Sequence, residues 1–382
     1  MVLSRLPIAV APAQQETVAS YLTRLANLHG LPLRELWEPI SVPRPGSRRR
    51  DVLADRLAAV TGQRCEHLVR ALPELHPAPG WSALRHQPQP GCPRCDARHP
   101  GGPVTHLLPH HRYVCTRHRY WVGPPDIDQP ATGLGGLDDI VRAQRHHLRL
   151  LGRHGPSAAY DAVLTGFLFC GHLWADRSQE GVGVHREWTR RAEVLIPPGT
   201  ETATFSASRL FAAVYPEAVR LAGLIASPTW RHLAAGDADQ QRQFTTEVGR
   251  RLDRPHHPGD GGDAVAHWMM FDCWRPPSRP DRTFPDSLHH GAIHPPKVSA
   301  NSRDRHSRSA QWFARTRRGG GAILHHRHIR PVLIREWSPK MDGIAGTIWA
   351  SQTTSDLAGA ATCDVTIRTG CTGSPPNRAR RS

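Results

Sequence analysis

The sequence predicts a mainly α fold: a helix-turn-helix-like N-terminal helical domain, a small ribbon or knuckle, a C-terminal helical domain, and a basic, partly disordered C-terminal region. Three observations lead there. A helix–glycine–helix pattern occurs twice in the first 75 residues, two cysteine/histidine pairs lie between residues 92 and 118, and apolar stripes at helical spacing fill much of residues 139–252. The expected boundaries are 1–78, 79–125, 126–255 and 256–382.

The repeat comes first. Leu25-Ala26-x₃-Gly30-x₅-Leu36 recurs as Leu57-Ala58-x₃-Gly62-x₅-Leu68. An apolar stripe runs into the glycine each time: Val18, Leu22, Leu25, Ala26 and Leu28 in one copy, Val52, Leu53, Leu57 and Val60 in the other. Glycine supplies the left-handed backbone that ends a helix. A second short helix follows each copy, ending near Leu36–Trp37 and near Leu72. A small residue, a turn glycine and a hydrophobe six residues on is the packing logic of helix-turn-helix units. It also fits two hairpins of an all-α domain that touch no nucleic acid. The run Arg44–Arg50 links the copies. Arg34, Arg48, Arg49, Arg50, Arg56 and Arg64 are the candidate phosphate contacts, because a guanidinium binds phosphate through two parallel hydrogen bonds.

Next comes the most specific spacing in the chain. Cys92-x₂-Cys95 and Cys115-x₂-His118 are two ligand pairs separated by 19 residues. Two tight turns of this kind aim three thiolates and an imidazole at one tetrahedral centre, which suits Zn²⁺. Pro93 stiffens the first turn, and Gly91 lets the chain enter it. Tyr113, Val114, Trp121 and Val122 read as short strands on either side of the second. Four protein ligands leave no position for water, so the expected ion is structural. His99, His106, His110 and His111 lie between the pairs and compete for the fourth place.

Beyond the knuckle, Pro124–Gly136 reads as a Pro/Gly linker. Tyr160, Val163, Leu164, Phe167, Leu168 and Leu173 then form one stripe, and Phe211, Val214, Val219 and Leu224 another; such stripes are core. Asp237–Leu252 reads as a polar surface helix. From about residue 255, Pro, His, Gly and Arg dominate with few periodic hydrophobes, so disorder is expected. Ile323–Trp337 and Ile344–Gln352 read as short strands, or as one helix plus a strand.

Charge and cysteine usage narrow the function classes. A net charge of +16 over 382 residues points to a polyanionic partner. Of the 49 basic residues only Lys297 and Lys340 are lysines, and an excess of Arg, Ala, Gly and Pro is also what a GC-rich coding sequence produces. Eight cysteines spread over a long chain do not resemble a secreted disulfide framework, so a reducing cytoplasm is expected. No run of 18 apolar residues exists, which argues against a membrane span. No GxxxxGK[ST] occurs, which excludes a P-loop ATPase. A loose HNH-like order (Asp286, His289, His290, Asn301, His306) is the best support for a metal-dependent nuclease, but its spacing is poor and the chain has 25 histidines.

The opening Arg5-Leu6-Pro7, followed by Glu16-Thr17-Val18-Ala19-Ser20-Tyr21-Leu22-Thr23-Arg24-Leu25-Ala26, is similar to the start of TniQ proteins. Leu57–Gly62 looks like that family's second helix end, and Cys92, Cys95, Cys115 and His118 match its zinc module. The resemblance covers residues 5–125 well and extends loosely to 255; Ala19-Ser20-Tyr21 stands where the family usually has Ser and Trp. It implies a non-enzymatic accessory that selects the target of DNA transposition, beside an AAA+ ATPase and a separate DDE transposase. Some relatives recognise a DNA site themselves, and others dock on an RNA-guided CRISPR complex. On that model the zinc module fixes the juncture between the two halves. The runner-up is a DNA-binding transcription regulator using the same helices, which would act as a homodimer on one short operator.

Overall fold

The computed structural model describes residues 4–43, 50–76, 83–85, 88–123, 131–175, 183–195, 207–253 and 264–277. It is mainly helical, and no helix among these residues is long and apolar enough to cross a membrane.

The repeat builds two helical hairpins, α1 (Val18–His29) with α2 (Leu33–Ile40), and α3 (Ala54–Thr61) with α4 (Cys65–Ala71). Both repeat glycines are left-handed, Gly30 at φ 61 and Gly62 at φ 67, and their N–H groups close the preceding helices onto Ala26 and Ala58 carbonyls. Thr17 caps α1, its hydroxyl accepting from the Ser20 N–H. The hairpins share one core: Tyr21, Leu22 and Leu25 meet Leu36 and Ile40 from the first copy, and Leu57, Val60 and Leu68 from the second. Between the copies, where the sequence reads as a linker, the chain forms an antiparallel ribbon of β1 (Ser41–Pro43) and β2 (Arg50–Val52), with Ser41 opposite Val52. Three-residue strands carry too little alternation to be read, and Pro43 and Gly46 look like breakers. Arg48 and Arg49 lie outside the described residues.

Glu74, in a single 3₁₀ turn (Pro73–Leu75), reaches back to the start of α1, where its Oε1 accepts from the Val18 N–H at 3.0 Å. Its Oε2 is buried without a partner, and burial pushes the carboxyl up from 4.5 to about 7, with Glu16 adding to the rise. A carboxyl whose folded pKa exceeds its unfolded one stabilises fully below the unfolded value, and this is lost as pH rises through the folded one, here about 3 kcal/mol between about pH 4.5 and 7. Glu74→Gln should therefore flatten the fall in urea midpoint across that interval and raise stability at neutral pH. A variant with the same slope as the wild type would show that Glu74 is not its source.

The middle of the chain holds β3 (Gln89–Pro90), the one-turn α5 (Pro93–Asp96), β4 (Thr105–His106), β5 (Val114–Cys115), β6 (Tyr120–Trp121) and β7 (Thr132–Gly133). β3 pairs with β4, and β5, β6 and β7 form a three-stranded antiparallel sheet. The linker expected over Pro124–Gly136 is thus partly built in. Thr132 pairs with Trp121, and Leu134 and Leu137 are buried.

The remaining helices are α6 (Asp138–Ala175), α7 (Val184–Leu195), α8 (Ala207–Ile225), α9 (Pro228–Ala234), α10 (Ala238–Arg251) and α11 (Ala264–Phe271). α6 breaks at Gly155 (φ 79, ψ 168), just before Pro156. Its second half lies along α8, so close that a Cβ at Gly166 would sit 2.3 Å from the Ala218 carbonyl oxygen. α8 is apolar nearly all round, as a helix enclosed by its neighbours must be: Phe211, Val214, Tyr215, Ala218, Leu221 and Ala222 are all fully buried. The carboxylate of Glu217 in this core is met by Arg191, which also reaches Asp139, and by the Trp188 indole N–H. α10 starts on a capping box between Asp237 and Gln240 and buries Phe244 and Val248, so the expected surface helix has an inner face.

One correction concerns residues beyond 256. α11 is part of the helical core, with Trp268 fully buried against Phe169 and Phe244 and beneath the Arg231 guanidinium. Eight residues with Trp and two Met are a short island among Pro, His and Gly, which composition over a longer window hides. Residues 278–382, including Ile323–Trp337 and Ile344–Gln352, lie outside the described residues.

Candidate metal centre

β3 delivers the chain through Gly91 to Cys92, which starts α5 with Pro93 in its first position. The Cys95 and Asp96 N–H groups both donate to the Cys92 carbonyl at 2.9 Å, and this turn sets the two thiols side by side. Only glycine fits at 91, because a Cβ would lie 2.7 Å from the His106 ring. The second pair sits on the β5–β6 hairpin. Cys115 ends β5, His118 lies in the turn, and the Arg119 N–H closes the turn onto the Cys115 carbonyl at 2.7 Å with Arg119 itself at φ 59.

The four ligand atoms all lie within 4.8 Å of one another. His118 Nδ1 is 3.4 Å from Cys92 Sγ, 3.2 Å from Cys95 Sγ and 3.8 Å from Cys115 Sγ, and Cys95 and Cys115 sulfurs are 3.8 Å apart. A tetrahedron with Zn–S of about 2.3 Å has sulfur–sulfur edges of about 3.8 Å, so the cluster is compatible with a zinc site. His118 rather than any intervening histidine completes it. The His106 ring is engaged elsewhere, Nε2 on Asp96 Oδ1 and Nδ1 on the Gln14 carbonyl, both at 3.0 Å, and His110 packs on Tyr160. Among the described residues no other group of three or more His, Cys, Asp or Glu converges in this way.

Burial by itself keeps the groups of this cluster neutral. Burial pushes the Cys92 thiol up to about 12 and also raises Cys95, with the neighbouring Cys115 adding to both. Desolvation, followed by Arg117, Arg98 and Arg94, lowers His118 and favours the neutral imidazole that can donate a lone pair. A divalent ion reverses the thiol preference by stabilising thiolate. Cys92 and Cys115 are buried with Leu108 and Val122, which closes the centre to solvent on that side.

The knuckle is held from two directions. Toward the N-terminal hairpins, the Leu107 N–H donates to the Gln15 carbonyl and the Thr17 N–H to the Thr105 carbonyl. Arg24 of α1, locked to Glu16, donates to the Pro100 carbonyl at 2.7 Å. Toward the helical body, strand alternation divides the β5–β6 hairpin. Cys115 and Val122 face the cluster, while Val114 and Trp121 enter the core formed with α6 and α8. Gln144 of α6 fastens this side: its Oε1 accepts from the Tyr113 and Val114 N–H groups, and its Nε2 donates to the His111 carbonyl. Arg85 ties the module to itself, donating to the Val122 and Arg112 carbonyls and lying over the Tyr113 ring.

Sequence reasoning missed Gln144, Arg24, Glu16 and Arg85. Glu16 and Arg24 stand eight residues apart, about two helical turns, which is a faint signal; Gln144 and Arg85 leave none.

The six arginines expected to contact phosphate are placed unequally. Arg34 is exposed and paired with Glu38 at 2.6 Å, and Arg64 is exposed ahead of α4. Arg56 is half-buried and reaches the Pro39 carbonyl. Arg50 turns inward: it donates to Ser41 Oγ and to the Ser41 and Glu38 carbonyls, pinning the ribbon to α2. The HNH-like residues Asp286, His289, His290, Asn301 and His306 lie outside the described residues. Comparison of this chain with family models, curated proteins and solved structures found no match, so the chemistry of the centre is read from its own geometry.

Proposed function

We propose that this chain is a non-catalytic adaptor for DNA transposition, which helps select the target by binding nucleic acid or a targeting complex and recruits a transposon AAA+ ATPase to its transposase. One observation carries the reading: a Cys₃His cluster whose two halves are bonded to paired helical hairpins on one side and to a helical body on the other. In this reading the cluster is a clamp between two binding surfaces. In this reading one structural Zn²⁺ fills the centre, with Cys92, Cys95, Cys115 and His118 as its ligands. The order of the Arg5–Ala26, Leu57–Gly62 and cysteine motifs supports the TniQ assignment. The described cysteines are unbridged, in keeping with a reducing cytoplasm.

The test combines plasmid binding and nicking at low salt, with and without Mg²⁺, and a pull-down using a transposon AAA+ ATPase and a DDE transposase. The adaptor should bind DNA or a guide-RNA complex, retain the ATPase and leave the plasmid intact. Nicking, or failure to retain any of these partners, would overturn it.

A further inference from the structure

The first half of α6 carries Arg142, Arg145, Arg149 and Arg153, spaced three, four and four residues apart. At 3.6 residues per turn these lie on one face, with His146 among them, and Val141, Ala143, Gln144, His147 and Leu150 are buried on the other. All four arginines are exposed, and no carboxylate among the described residues pairs with any of them. Several exposed arginines elsewhere are matched three or four residues away: Arg34 with Glu38, Arg190 with Glu187, Arg242 with Asp239, Arg250 with Glu247, and Arg275, just past α11, with Asp272. Exposed helical arginines without an ion pair among the described residues occur elsewhere singly, as Arg70, Arg94 and Arg186 do; on α6 four of them share one face. Between Asp139 and Asp161 the chain contains no acidic residue.

His146 is lowered by desolvation and by Arg149, Arg251 and Arg220, so arginines of α8 and α10 stand nearby, each paired with a carboxylate, Arg220 with Glu217 and Arg251 with Glu247. The large apolar residue exposed on this stretch is Leu148, and no Phe, Tyr or Trp stands among the arginines for a base to stack on.

We propose that this arginine ladder is a docking rail for the phosphate backbone of double-stranded DNA. The rail is about 16 Å long at 1.5 Å per residue, and one strand of a duplex offers a phosphate about every 3.4 Å of axis, so it faces about five phosphates. Single-strand sites interleave stacking aromatics with cations, which this face lacks. A regular row of guanidinium groups matches a row of phosphates, and such backbone contacts position a protein without reading sequence. The inference rests on the nucleic-acid reading above and names a surface for it that lies apart from the hairpins.

The experiment measures binding of the full-length protein to a mixed-sequence 20-base-pair duplex, and to one of its strands alone, by fluorescence anisotropy across a potassium chloride series. Its subjects are wild type, R142Q/R145Q/R149Q/R153Q, the corresponding four Arg→Lys changes, and R34Q/R56Q/R64Q. For the ladder glutamine variant, the slope of log K against log salt should fall by about 3 to 4, near 0.9 per lost phosphate contact. The lysine variant should restore it. All four side chains are exposed, so the melting temperature should stay put. If wild type binds and the ladder variant keeps its slope to within one unit, the rail is wrong while the nucleic-acid reading stands. No duplex binding by wild type would overturn that reading itself. A greater loss on single-stranded than on duplex DNA would overturn the duplex assignment.

Discussion

Replacing Cys115 by serine should abolish metal retention and lower stability by several kcal/mol, with damage in the helical body as well as in the knuckle. Metal binding and folding are coupled in small Cys/His modules, where the apparent zinc term is about 10–16 kcal/mol in isolated peptides. Here the loss should be smaller, because the core partly holds the β5–β6 hairpin through Trp121 and Val114. Those contacts also determine where the damage travels. An opened hairpin loosens the Tyr113 and Val114 N–H groups that Gln144 of α6 accepts. Cys92→Ser should release the ion too, but loosen chiefly the side facing Gln15, Thr17 and Arg24. Elemental analysis, with hydrogen exchange on both variants and on chelator-treated wild type, checks this. A Cys115→Ser protein that keeps its ion would show the ligand set to be wrong.

The second large effect is expected at Arg24. Its guanidinium is 1% exposed, grips both oxygens of the equally buried Glu16 at 2.8 Å, and donates to the Pro100 carbonyl. Arg24→Ala leaves the Glu16 carboxylate buried and uncompensated, which costs about 3–5 kcal/mol in comparable sites. Part of the loss is confined by the Ala13 N–H and the Ser20 hydroxyl, which still donate to Glu16. The double change Arg24→Met with Glu16→Gln should be milder than Arg24→Ala, since no charge is then stranded. Urea midpoints of the three proteins decide it. A loss below about 1 kcal/mol for Arg24→Ala would mean the pair is not a clamp.

What could be read in advance was what is local. Gly30 and Gly62 announce helix ends because their conformation depends on neighbours within a turn, and Cys92, Cys95, Cys115 and His118 announce a cluster because each pair is fixed by two intervening residues. The choice of His118 over His106 needed the fold, which spends the His106 ring on Asp96 and Gln14. The β1–β2 ribbon and β7 escaped because two- and three-residue strands have no period, and α11 because its surroundings diluted it. Arg50 looked like its neighbours in sequence, yet tertiary contacts turned it inward. The arginine ladder was legible all along, but apolar periodicity draws the eye to the opposite face of the same helix.

The most direct test of the account is zinc-edge X-ray absorption on the full-length protein as purified. It should show one zinc per chain, with three sulfurs at about 2.3 Å and one nitrogen at about 2.0–2.1 Å. A protein that carries no metal, or a zinc shell containing a water oxygen in place of one of these ligands, would contradict the closed, bracing centre on which the adaptor reading stands.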